Sequence, residues 1–276
     1  MDERPIGVFD SGLGGLSALA ELERLMPGET LYYFGDSSRM PYGGRSDEEI
    51  TALTGQVIRF LCDRDVKLLL VACGTISSIA MPRLAAHCPV PYTDVLGPAA
   101  EAAAAATKSG RIGIWATEGT VRSRAYERAL HAIEPALRLT VIPAPKLAPL
   151  VEAGHLRADD PALSAAVAEY AVPLRAAGVD TLLLGCTHYP LVANAISAAV
   201  GGDVELISNG AEAARALSMT LRERSLAAAP GAVGGSRFFT TGDKKCFADT
   251  ASQMLTRDVT NAVVHVPISA LTGAKN

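Results

Sequence analysis

This 276-residue chain is poor in several of the features that usually place a protein at a glance. Its five cysteines are Cys62, Cys73, Cys88, Cys186 and Cys246, an odd number with no Cys-x-x-Cys spacing. That argues against a disulfide framework and against a structural zinc site, and the histidines show no metal-ligand spacing. No basic block stands out and the net charge is −4, so a nucleic-acid partner has no support. The longest apolar runs, LLLVAC (68–73) and TLLLGC (181–186), are too short to span a bilayer. The opening MDERPIGVFDSG lacks the apolar region of a signal peptide. A protein of the reducing cytoplasm, where free thiols persist, is the expectation. With 49% hydrophobic and 20% charged residues, the chain can bury a core and is not disordered.

What is present is an alternation of short apolar runs with amphipathic stretches. IGVF (6–9), LYYF (31–34), KLLLVA (67–72), RIGIWA (111–116), LTVIPA (139–144) and TLLLGC (181–186) read as strands buried on both faces, as in parallel sheets covered by helices. Helical spacing marks 16–26, 51–64, 121–134, 161–178 and 191–201, with Gly178 as a stop signal, and the Ala-rich 98–106 also reads as helix. An α/β fold follows.

The sequence also echoes itself. IGVFDSG at Ile6 returns as IGIWATEG at Ile112, and LLLVACGT, which ends a strand with Cys73, returns as TLLLGCTH, which ends one with Cys186. Two similar α/β lobes are expected, each a mostly parallel sheet flanked by helices. The boundary is placed at the Gly97-Pro98 turn. Residues 98–208 form the second lobe, and 209–276 return to complete the first with 1–97.

In open α/β sheets, ligands bind beyond the carboxyl ends of the strands. Cys73 and Cys186 both stand there, each before a loop that starts a helix, where partial positive charge lowers a thiol pKa. A single such cysteine is more often a buried small apolar residue. A matched pair in a repeat suits a different role. One thiol removes a proton from a tetrahedral carbon and the other returns one on the opposite face, with no metal and no cofactor. Cys62, Cys88 and Cys246 lack this context and are read as core or surface residues.

Other candidates lie in loops. DSGLGG (10–15) offers Asp10 as an acid/base group or a turn cap and Ser11 as a donor; it fits neither GxGxxG nor GK[ST]. Pro41, Tyr42, Gly43 and Gly44 read either as a loop covering a site or as ordinary surface. CTHYP (186–190) adds Thr187 and His188, the latter suited to acid/base work or to binding a carboxylate. ATEGTVRS (116–123) sets Thr117 and Thr120 before a helix, as a cap or an anion-holding pair. Glu152 in LVEAGH (150–155) reads on its own as a solvated charge.

Taken together, DSGLGGLS (10–17), YFGDSSRMPYGGRS (33–46), ACGTIS (72–77), ATEGTVRS (116–123), PLVEAG (149–154) and GCTHYP (185–190) resemble the cofactor-independent glutamate racemases. The resemblance runs over roughly residues 5–225. It implies two α/β lobes related by a pseudo-twofold axis with the site between them. It also implies interconversion of L- and D-glutamate for peptidoglycan synthesis. On this resemblance Cys73 and Cys186 are the acid/base thiols, assisted by Asp10 and His188, with Glu152 a further acid. Ser11, Pro41, Tyr42, Gly43, Gly74, Thr75, Thr117, Thr120 and Thr187 fall to substrate binding, no metal is needed, and a homodimer is expected. The chain departs from the family at Gly74, where the pattern has Asn, and at ISNG (207–210), where Asp-Ser is more usual. The missing amide removes a substrate hydrogen bond worth on the order of 1.5–3 kcal/mol when made to a charged group. That keeps two alternatives in view: the same chemistry on another acidic amino acid such as aspartate, and a two-lobed binding protein without catalysis.

Overall fold

The structure, a computed structural model, describes residues 1–272. The chain opens with β1 (Ile6–Asp10), α1 (Leu16–Leu25), β2 (Thr30–Gly35), α2 (Asp47–Cys62) and β3 (Leu68–Val71). A π-helical turn at Ile76–Ala80 runs into α3 (Met81–Leu84), followed by β4 (Tyr92–Asp94). The plan then repeats with α4 (Gly97–Ala106), β5 (Arg111–Ala116), α5 (Glu118–Ser123), α6 (Ala125–Ile133), β6 (Arg138–Pro143) and α7 (Leu147–Glu152). It continues with α8 (Pro161–Ala177), β7 (Thr181–Leu184), α9 (Ala193–Val200) and β8 (Glu205–Ser208). Last come α10 (Asn209–Glu223), β9 (Gly235–Thr240), α11 (Lys244–Met254), β10 (Val263–His265) and α12 (Ser269–Thr272).

Two parallel sheets result. One runs β10-β9-β2-β1-β3-β4 and the other β6-β5-β7-β8. The order β2-β1-β3-β4 and the order β6-β5-β7-β8 are the same arrangement twice: second strand, first, third, fourth. These are two pseudo-symmetric α/β lobes, and β9 and β10 extend only the first sheet, β9 pairing in parallel with β2.

The central strands are buried because helices cover both faces. β1, β3 and β7 are buried at every residue, and each sheet has a separate apolar cluster on either side. Burying a Leu, Ile or Val side chain contributes about 1.5–3 kcal/mol, so these strands anchor the lobes. β6 departs from the expectation of two-faced burial. It is an edge strand, half-buried along its middle and exposed at its ends.

Local chemistry sets the helix limits. In α8 the Asp160 carboxylate accepts from the N–H groups of Ala162 and Leu163 at 2.9 and 3.0 Å, Pro161 starts the helix, and Gly178 ends it in the left-handed region at φ 62°. The helix expected over 121–134 is interrupted. Arg124 adopts φ 54°, which breaks the run into α5 and α6. The helix expected from 51 begins earlier, because Ser46 caps the Glu49 N–H at 3.2 Å and the acidic first turn suits the helix dipole. The stretch 191–201 opens as a 3-10 turn at Tyr189–Val192 before α9 begins.

Candidate active site

The carboxyl ends of both sheets converge. Ile6 pairs with Leu68 and Ile112 with Thr181, so Cys73 and Cys186 occupy equivalent places, each just past the end of the third strand of its lobe. Each third strand is adjacent to the first, which is the topological switch point where parallel sheets open a crevice. Both cysteines line one cavity of about 370 Å³. That is the small end of the usual range for ligand sites, roughly 300–1,000 Å³.

On the first-lobe wall, Cys73 Sγ donates toward Ser11 Oγ at 3.6 Å, and Ser11 Oγ lies 3.5 Å from Asp10 Oδ1. Asp10 Oδ2 accepts from the Gly15 N–H at 2.9 Å, at the mouth of α1, so the carboxylate both caps a helix and faces a thiol. Burial pushes the Asp10 carboxyl above its ordinary value, opposed by the positive charge of His188 and by that N–H. The expected lowering of the Cys73 thiol by a helix start is not found. Burial, then the Asp10 charge, push this thiol well up, and the Ile76 N–H at the head of a five-residue π turn offsets only part of that.

On the second-lobe wall, Cys186 Sγ lies 3.5 Å from His188 Nδ1, and His188 Nε2 lies 2.8 Å from Glu152 Oε1 at the end of α7. Burial alone would lower the His188 pKa. Hydrogen bonds to Cys186 and Glu152, with their charges, outweigh it and hold the imidazole well above its ordinary value. Glu152, which in isolation reads as a solvated surface charge, is hydrogen-bonded to the imidazole that faces Cys186.

The remaining candidates close the cavity. Thr75 Oγ1 and Thr117 Oγ1 are 3.1 Å apart across the lobes, and Thr117 Oγ1 is 3.0 Å from Thr120 Oγ1. Thr75 and Thr117 line the cavity; Thr120 stands behind them and reaches it through Thr117. Pro41, Tyr42 and Gly43 line it as well, and the Met40-Pro41 peptide is cis. This loop hangs on Asp36, which is fully buried, accepts from Tyr42 Oη and from Thr241 Oγ1 at 2.7 Å, and pairs with Arg39 at 2.8 Å. Thr187 also lines the site, and its hydroxyl donates to Ala72 O at 3.2 Å. Gly74 lines it without a side chain, and a Cβ there would collide with the carbonyl oxygen of Gly185.

Sequence reasoning passed over Met40, Glu118, Pro145, Ala148, Pro149 and Gly185, which complete the lining. Five of these carry no reactive group. Glu118 stood between the two threonines that were singled out. Among the described residues no lysine or arginine lines the cavity, which leaves hydroxyls, backbone N–H groups and His188 to hold an anionic ligand. Among the described residues, no three His, Cys, Asp or Glu side chains form a group that could hold a metal ion, and no helix is long and apolar enough to cross a membrane.

Similarity to known proteins is extensive. The model of the Asp/Glu/hydantoin racemase family matches residues 7–217. The chain belongs to that family. It is 41% identical over 239 residues to the glutamate racemase of Geobacter metallireducens, covering 87% of this chain and 88% of that one. The crystal structure of the glutamate racemase isoform RacE1 from Bacillus anthracis superposes with a TM-score of 0.92 at 36% identity, covering 97% of this chain and 99% of that one. The glutamate racemase of Francisella tularensis, solved in complex with D-glutamate, gives 0.88 at 30% identity, over 98% and 100% of the two chains. The protein is therefore a cofactor-independent racemase of the acidic-amino-acid family.

Proposed function

We propose that this racemase interconverts L- and D-glutamate by a two-thiol mechanism and supplies D-glutamate for peptidoglycan. One observation carries the reading. Two buried cysteines, equivalent by the internal repeat, line one cavity from opposite lobes, and each has its own polar escort. Cys73 has Ser11 and Asp10, and Cys186 has His188 and Glu152.

The chemistry needs that arrangement. A Cα–H beside a carboxylate is a weak acid, and a thiolate removes it only if the developing negative charge is held. The hydroxyls of Ser11, Thr75, Thr117 and Thr187 and the backbone of the Tyr42-Gly43 loop are fixed in place before reaction, so they stabilise that charge without reorganising. In one direction Cys73 takes the proton as thiolate while Cys186 delivers one as thiol; in the other the roles exchange. Each turnover leaves the two thiols with exchanged protonation. Asp10 and His188 are placed to restore them, each exchanging a proton beside one sulfur. Burial of both sulfurs excludes water from the transfer.

Glutamate as substrate is supported by the relatives named above and by a cavity sized for a small amino acid. The test is incubation with L-glutamate, and separately L-aspartate, in D₂O, following circular dichroism and Cα deuteration. Inversion of glutamate with deuterium at Cα is expected. Inversion of aspartate alone moves the substrate assignment, and exchange of neither identifies a binding protein.

A further inference from the structure

Two tyrosines stand behind the cavity lining, Tyr33 in the first lobe and Tyr189 in the second, and both are completely buried. The Tyr33 hydroxyl, on β2, donates to Gly12 O at 3.0 Å. Gly12 directly follows Asp10 and Ser11, the two groups beside Cys73. The end of β2 also packs on this carbonyl at Gly35, where no Cβ fits. The loop that carries Asp10 and Ser11 is thus held against β2 through one carbonyl. Tyr189 opens the 3-10 turn after Cys186. Its N–H donates to Cys186 O at 3.0 Å, which closes the turn carrying Thr187 and His188, and its hydroxyl donates to Ala144 O at 2.9 Å. Ala144 follows β6, and the chain beyond it runs through α7 to Glu152. One phenol therefore ties the His188 turn to the segment that delivers its carboxylate. Burial, then the charges of Asp10, Cys73 and Glu152, push the Tyr33 phenol well above its ordinary value; burial, then Cys186 and Tyr170, do the same for Tyr189. Both remain protonated donors at neutral pH.

We propose that Tyr33 and Tyr189 are paired positioning residues, each fixing the polar groups that serve the thiol of its own lobe. The proposal rests on the two-thiol reading. Phenylalanine fills nearly the same space, so at each place the hydroxyl supplies the bond to the carbonyl and little else. Removing it leaves a buried carbonyl short of a donor and loosens a segment that ends on a catalytic group. Asp10 and Ser11 face Cys73, while His188 and Glu152 serve Cys186, so the two losses fall on opposite proton transfers. Those transfers act in series. Slowing one makes it more rate-limiting, which raises the primary isotope effect for the enantiomer from which that thiol abstracts and lowers it for the other.

The test is Tyr33→Phe and Tyr189→Phe, each assayed in H₂O with ordinary and Cα-deuterated L- and D-glutamate. Far-ultraviolet circular dichroism and Tm establish folding. A kcat lower by about tenfold is expected in each, the scale of one lost hydrogen bond. The deciding readout is the ratio of the L to the D isotope effect on kcat/KM, which is expected to move in opposite directions in the two variants. Loss of Cα exchange in Cys73→Ser and in Cys186→Ser identifies the enantiomer that each thiol deprotonates. Tyr33→Phe must raise the isotope effect for the Cys73 enantiomer, and Tyr189→Phe for the Cys186 enantiomer. An unshifted ratio in either folded variant overturns the proposal, whatever the loss in kcat, because general loosening slows both transfers alike. A shift in the same direction in both overturns it as well. If one variant does not fold, the ratio in the other decides. The cysteine variants separate the two levels. If either inverts at the wild-type rate, the two-thiol reading fails and this proposal with it. If both stop inversion while the ratio ignores the tyrosines, only the positioning role is wrong.

Discussion

His188 Nε2 lies 2.8 Å from Glu152 Oε1 while its other nitrogen faces Cys186 Sγ at 3.5 Å. A buried ring bridged between a sulfur and a carboxylate keeps its proton longer than a ring in water. Glu152→Gln preserves the shape and removes the charge, so the His188 pKa falls toward 6.5. The sign is set by linkage. A raised histidine pKa gives stability that is complete below the unfolded value and is lost as pH rises through the folded one, so the variant loses it at lower pH. The expected kinetic result is a kcat reduced about tenfold or more near pH 8, with the deficit shrinking toward pH 6. NMR titration of His188 and a pH–rate profile check it, and an unmoved histidine titration would falsify the bridge.

Cys73→Ser and Cys186→Ser are each expected to reduce inversion by at least about 10³-fold, the scale lost with an essential acid or base. Serine keeps the volume and the buried site, so Tm should hold within a few degrees. Because the surviving thiol still faces one side of Cα, each variant retains exchange from one enantiomer, and the two variants retain opposite ones. Deuterium uptake from pure L- and pure D-glutamate reads this directly. Exchange from the same enantiomer in both variants rules out opposed thiols.

The two lobes and the paired cysteines were legible because parallel strands at the centre of a sheet leave an unbroken apolar record, and because that record occurs twice. Three strands of the first sheet left none. β4 is three residues of intermediate burial, β10 is exposed at two of its three residues, and β9 alternates exposed and half-buried before its last three residues. The interruption at Arg124 was invisible because nothing about arginine announces a left-handed backbone. At the site, hydroxyls, thiols and the imidazole were readable as chemistry. Glu152 was not, since its role depends on α7 delivering it to His188, a contact across 36 residues. Asp36, which holds the Tyr42 loop, was missed for the same reason: its partners are assembled by the fold.

The buried thiol at Cys73 has a consequence for stability at alkaline pH. Its folded pKa lies well above the ordinary cysteine value of 9.0, so the native state keeps a proton that the unfolded chain releases. Stability from this group is complete below about pH 9 and declines above it, by about 1.4 kcal/mol per pH unit for one group. Cys73→Ser removes that proton. Between pH 9 and 10.5 the Tm of the wild type should therefore fall more steeply than that of the variant, by differential scanning fluorimetry. Parallel slopes contradict the assignment.

Lys67 and Glu29 form an ion pair at 2.6 Å with side chains 0% and 2% exposed. The ammonium also donates to Asp2 O at 2.6 Å and Leu226 O at 2.8 Å, and Glu29 accepts from the Ala228 N–H at 2.8 Å. All three ammonium protons are used, and the pair ties the N-terminus and the segment after α10 to the start of β3. Removing one partner strands a buried charge, which costs about 3–5 kcal/mol. Lys67→Met is expected to lose that much in urea unfolding while keeping kcat where it remains folded, since neither residue lines the cavity. The double variant Lys67→Met with Glu29→Leu should recover part of the loss, because no unpaired charge remains. A single variant within 1 kcal/mol of wild type would show that the pair adds little.

Asp36 is the last link between the fold and the substrate. It holds Tyr42 Oη, Thr241 Oγ1 and Arg39 from a fully buried position at the end of β2, and through them the loop that lines the cavity from Met40 to Gly44. Asp36→Asn keeps the size, but its amide N–H₂ cannot accept as the second carboxylate oxygen does, and the Arg39 pair loses its counter-charge. The loop becomes less well fixed before substrate arrives, so ordering it is charged against binding. KM should rise by about tenfold, equivalent to about 1.4 kcal/mol, with kcat changed much less, because the thiols stand past the carboxyl ends of β3 and β7 and not on this loop. Steady-state kinetics in both directions decide the matter. A fall in kcat with KM unchanged would mean that the loop acts in the proton transfer itself and not in holding the substrate.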